Sequence, residues 1–102
     1  VKPSEVTMLR AADKVCEVYT HRGYVGALTT VSVRRLADLY PGDWVALSRA
    51  AIVRRSAILR IDHQRGNNGR KVARAARVAG APEPVAISRR HWKSVRQALI
   101  GG

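Results

Sequence analysis

The sequence predicts a mostly β domain with two short helices. Three observations carry that prediction. The first thirty residues hold three short β-compatible runs set off by turn signals. Trp44, Val45 and Leu47 form a buried-strand pattern. Two apolar stripes fall at helical spacing, each opened by a serine and closed by glycine. At 102 residues the chain suits one domain with a modest core of its own.

The runs Val6 to Ala12 and Val15 to Thr20 are separated by Asp13-Lys14 and read as a hairpin. His21-Arg22-Gly23 is a turn signal, with Gly23 free to take positive φ. Tyr24 to Val31 alternates and completes a three-stranded meander. Val33, Leu36, Ala37 and Tyr40 then fall at helical spacing behind Ser32, a plausible N-cap, and Pro41-Gly42 stops the pattern. Arg34 and Arg35 sit on the outer side of this two-turn helix.

The stretch from Trp44 to Ile61 reads as a buried strand, a short helical turn from Ala50 to Ala57, and a second strand. The Ser48 hydroxyl is placed to accept from a backbone N–H two or three residues on. Such a segment buries Ile52, Val53, Ile58 and Ile61 while Arg49, Arg54 and Arg55 leave it in different directions. The plain alternative is a core element with solvated arginines. Asp62 to Gly69 is polar and turn-rich and reads as a loop. Arg70 to Ala79 is ambiguous. As a helix it would gather Val72, Ala75, Ala76 and Val78 on one face; as a strand it would point Val72, Arg74, Ala76 and Val78 one way.

Gly80 to Pro84 is a second turn, since its two prolines cannot continue a helix. Val85 to Ile87 is a brief strand. Ser88 caps a terminal helix whose apolar stripe is Trp92, Val95 and Leu99, ended by Gly101-Gly102. Arg89 and Arg90 stand in its first turn, where the helix dipole favours anions. A local rule broken without visible compensation points to function.

Lys and Arg number 19 against seven Asp and Glu, a net charge of +12. Self-repulsion of that size usually serves a polyanion. Arginine strongly outnumbers lysine, which favours bidentate recognition of phosphate or guanine. The single cysteine, Cys16, forms no internal disulfide, so we expect a cytoplasmic, reducing setting. No apolar run approaches the ~20 residues of a membrane-spanning helix, and we expect no signal peptide. The chain opens at Val1 and reads as a piece of a longer protein.

An enzyme is not expected. No two of His21, His63, His91 and Cys16 lie at a metal-ligand spacing, the carboxylates are scattered, and Gly66 to Gly69 lacks the phosphate-loop pattern. We expect no metal and no cofactor. Nor is there a helix-turn-helix or an aromatic stacking platform. What is left is a mostly β duplex binder that reads from loops.

In three places the chain resembles the LytTR DNA-binding domain of bacterial response regulators. They are Arg10 to Thr20; Val31 to Leu39 followed by Trp44-Val-Ala-Leu-Ser-Arg-Ala-Ala-Ile-Val53; and Val85-Ala-Ile-Ser-Arg-Arg-His-Trp-Lys-Ser-Val95. The resemblance spans about residues 5 to 100. Departures stand at Val15, Ser48, Ala50, Ala51 and Arg54, and they bear on base contacts more than on fold.

The resemblance implies an elongated stack of small antiparallel sheets with a mid-chain and a C-terminal helix. It makes Arg70 to Val78 a strand. It also implies a transcription regulator that binds double-stranded DNA through loops in the major groove. Two copies would bind direct repeats, and a receiver or sensor domain would lie outside this chain. By position it gives Arg49, Arg90 and Lys14 as base-reading residues, Lys14 being better suited to phosphate by its charge. Arg54, Arg55, Arg89, His91, Lys93 and Arg96 are then phosphate contacts. Two competing readings rest on the charge alone: an RNA-binding or ribosome-associated module, and a protein-interaction domain with an acidic partner.

Overall fold

A computed structural model describes residues 2–29, 32–39, 42–65 and 72–100. Its elements run β1 (Val6–Ala12), β2 (Val15–Thr20), β3 (Gly23–Thr29), α1 (Val33–Leu39), β4 (Trp44–Ser48), β5 (Ala51–Arg54), β6 (Ile58–Arg65), β7 (Val72–Val78), β8 (Val85–Ile87) and α2 (Arg89–Ile100). Single 3-10 turns cover Pro3–Glu5 and Arg55–Ala57.

The strands form two antiparallel sheets. One has five strands in the order β3-β2-β1-β5-β4, the other three in the order β6-β7-β8. The inner strands of the larger sheet are buried on both faces, while its edge strand β3 is largely exposed. One face carries Met8, Tyr19, Val45, Leu47, Ala51 and Val53 against Ala76, Val78, Val85, Ile87 and Val95 of the small sheet and α2. The other carries Val6, Leu9, Cys16, Val18 and Ile52 beneath Val33, Leu36 and Ala37 of α1. An irregularity between Val6 and Met8 lets Val6 and Leu9 share a face despite their odd spacing. The molecule measures 42 × 31 × 23 Å, so the predicted elongated stack of small sheets is present.

The meander, the Ser32 cap and the β8–α2 pair lie where the sequence puts them. Ser32 Oγ accepts from the Arg35 N–H at 3.1 Å. Asp13 takes positive φ in the two-residue turn between β1 and β2, and Gly23 does so at the start of β3. Two expectations are corrected. The helical turn from Ala50 to Ala57 is strand β5 followed by one 3-10 turn. Ala51, Ile52 and Val53 are all buried because β5 lies between both core layers, and a strand buried on both faces loses its alternation. The loop from Asp62 also begins too early, since β6 runs on to Arg65, paired residue by residue with β7. Its polar residues are held there by partners: Asp62 bridges Arg60 at 2.8 Å and Arg77 at 3.2 Å. The ambiguous stretch is a strand over Val72–Val78. Expectations for Val31, Tyr40, Pro41, Gly66 to Lys71, Gly101 and Gly102 lie outside the described residues.

Candidate nucleic-acid interface

Three connections define one end of the molecule: the Asp13-Lys14 turn, the Arg49-Ala50 turn between β4 and β5, and the start of α2. Two backbone hydrogen bonds align them. The Ala11 N–H donates to the Ala50 carbonyl at 2.7 Å, tying the first hairpin to the second. The Ser88 N–H donates to the Leu47 carbonyl at 2.9 Å, tying the helix start to the end of β4. The second turn is tightened further by Ser48, whose Oγ accepts from the Ala50 N–H at 3.1 Å. That is the serine bond expected from the sequence, made in a hairpin turn and not a helix.

Arg49 stands on the tip of that turn, exposed, between two shallow hollows. One, of about 670 Å³, is lined by Ser48, Arg49, Ala50 and the run Ser88 to His91. The other, of about 340 Å³, is lined by Arg49 with Asp13 and Lys14 of the first turn and Ser32, Val33 and Arg34 at the start of α1. Lys14, Arg49 and Arg90, the three base-reading candidates, are therefore brought together on one surface. Arg89 and Arg90 are exposed, and no acidic residue occupies the first turn of α2 to balance them. His91 is half-buried, its Nδ1 2.6 Å from Ser88 Oγ. Lys93 and Arg96 are exposed one and two turns along the same helix, so with Arg89 they make an i, i+4, i+7 basic stripe leading away from the hollow.

Arg54 and Arg55 are not part of this surface. Arg54 is the last residue of β5, three strand steps of ~3.3 Å, roughly 10 Å, beyond Ala51 at the turn end. The Arg54 Nε donates to the Val6 carbonyl, and its guanidinium lies 4.6 Å from the centre of the Trp44 ring. The Arg55 guanidinium donates to the Ala98 carbonyl at 3.3 Å, on the last turn of α2, where free carbonyls favour a cation. Both arginines are thereby occupied in holding the fold.

Two features were not singled out from the sequence. Arg34 joins the second hollow, whereas helical spacing alone gave only that it faces outward. Trp92 is packed against the Arg74 guanidinium, 4.4 Å from its ring centre, and makes a T-shaped contact with His63 at 5.6 Å between ring centres. This stack braces the first turns of α2. The strand reading of β7 already put Arg74 on the same side as Val72, Ala76 and Val78, which was the available signal. Cys16 is buried beneath α1; burial pushes its thiol up, and the neighbouring Glu17 carboxylate adds to this, against a lowering from the Arg10 backbone.

The molecule is thus a basic, loop-presented surface carried on two packed antiparallel sheets. No family model and no curated protein matches the chain. Among solved structures it is similar to the LytTr DNA-binding domain of a methyl-accepting/DNA response regulator from Bacillus cereus. The TM-score is 0.68 at 24% identity, covering 97% of this chain and 84% of that one. The likeness establishes that this chain has the LytTr fold, as the three sequence motifs led us to expect.

Proposed function

We propose that this chain binds double-stranded DNA as the DNA-binding part of a transcription regulator. The observation that carries the reading is the alignment of Lys14, Arg49 and Arg90 at one end by the two backbone hydrogen bonds. Its support is the likeness to a domain described as DNA-binding. On this reading the Arg49 turn and the start of α2 enter a major groove. Arg49 and Arg90 each offer a guanidinium fork that matches O6 and N7 of guanine, with Lys14 as the third reader. Arg89, His91, Lys93 and Arg96 hold phosphates and set the register. Two copies on direct repeats would each use this same surface.

The test starts from a duplex selected out of a random pool. Arg49→Ala and Arg90→Ala should each lose about 1–3 kcal/mol on that duplex and much less on a scrambled one. Equal loss on both would make the residue a phosphate clamp and remove its base-reading role. An RNA duplex of the same sequence competing as well as the DNA would overturn the reading in favour of an RNA module.

A further inference from the structure

We infer that Arg34, at the start of α1, is a phosphate clamp on the side of the Arg49 turn away from α2. The inference rests on the duplex-binding reading above and extends the contact surface to an element that reading does not use. The hollow between the first hairpin and α1 gathers three cations, Lys14, Arg34 and Arg49, with one acid, Asp13. Lys14, Arg34 and Arg49 are exposed, and among the described residues none of the three makes an ion pair or side-chain hydrogen bond. Most other arginines near the core are occupied: Arg10 by Glu17, Arg54 by Val6, Arg55 by Ala98, Arg60 and Arg77 by Asp62. Among the described residues, most of the unoccupied guanidinium groups lie around the two hollows and along α2.

Arg34 also leaves from a fixed backbone. Val33, Leu36 and Ala37 are buried against the five-stranded sheet, and the Ser32 side chain caps the helix. A guanidinium projected from such a base loses less freedom on gripping a phosphate than one on a loose loop. Because Arg49 borders both hollows, a duplex seated on the turn meets Arg89 and Arg90 on one side and Lys14 with Arg34 on the other. Arg34 then holds backbone and carries no sequence information.

The adjacent Arg35 supplies the control. It has the same charge and is likewise exposed, but lies ~100° further round the helix and outside the hollow. Wild type, Arg34→Ala, Arg34→Lys and Arg35→Ala are titrated with selected and scrambled duplexes at several salt concentrations. Arg34→Ala should weaken both duplexes alike and reduce the slope of log K against log salt by about 0.9. Arg34→Lys should keep the slope, and Arg35→Ala should leave it near wild type.

Equal slope changes in Arg34→Ala and Arg35→Ala would overturn the inference, leaving only a diffuse field of charge. Selective loss on the chosen duplex would overturn it too, making Arg34 a base reader. Failure of the wild type itself to bind any duplex at low salt is a different result, and it would sink the duplex-binding reading beneath it.

Discussion

Asp62 is held between two arginines, Arg60 and Arg77. Burial pushes its carboxyl up, but hydrogen bonds and charge from Arg77 and Arg60 outweigh this and hold it below the ordinary 3.8. A depressed carboxyl stabilises the fold above its unfolded value and stops doing so as the pH falls through its folded value. The pH-dependent part of its contribution should therefore be complete at neutral pH and disappear below about pH 4. Thermal melts of wild type and Asp62→Asn between pH 2 and pH 7 measure it. The variant should melt lower at neutral pH and converge on wild type in acid. Parallel curves over the whole range would show that the Arg60–Asp62–Arg77 cluster contributes nothing to stability.

At the scale of elements, the two sheets are joined at the end opposite the interface. Thr7 Oγ1 donates to the Ala79 carbonyl at 2.9 Å, and the Ala79 N–H donates to the Ala57 carbonyl at 2.9 Å. Gly80 follows with φ +87°, packed so closely on the Thr20 carbonyl that a Cβ would overlap it. Gly80→Ala should therefore destabilise by more than the ~1–2 kcal/mol that left-handed backbone costs a side chain. A urea midpoint equal to wild type would mean that the joint yields without cost.

Elements set by local chemistry were legible from the sequence. The β1–β2 and β8–α2 boundaries follow turn residues and a cap, and the structure repeats them. β5 was not legible, because its environment on both sides is apolar and that removes the period of two. The end of β6 was hidden for the opposite reason: its residues are polar, and only pairing with β7 makes them a strand. As for the candidate site, no local pattern marks Lys14, Arg49 and Arg90 as neighbours. Their family resemblance supplied the grouping, and long-range backbone bonds bring it about.

The whole molecule carries a charge of +12, and salt acts on it in two opposed directions. Screening reduces the self-repulsion of the free domain, so added sodium chloride should raise its melting temperature. The same salt should weaken duplex binding, because counterions released from DNA then return at lower cost. Melting and titration of one preparation across a salt series would record both trends. A melting temperature that falls with salt would mean that the ion pairs of Arg10, Arg60 and Arg77 outweigh the repulsion.

The two struts that align the interface, Ala11 to Ala50 and Ser88 to Leu47, are amide-to-carbonyl bonds. They do not depend on which side chains the turns display. Residues 14, 49 and 90 can therefore be exchanged, by drift or by a protein engineer, while the frame that presents them stays in register. If the surface reads DNA as proposed, its target can change one side chain at a time, with no intermediate that has to refold.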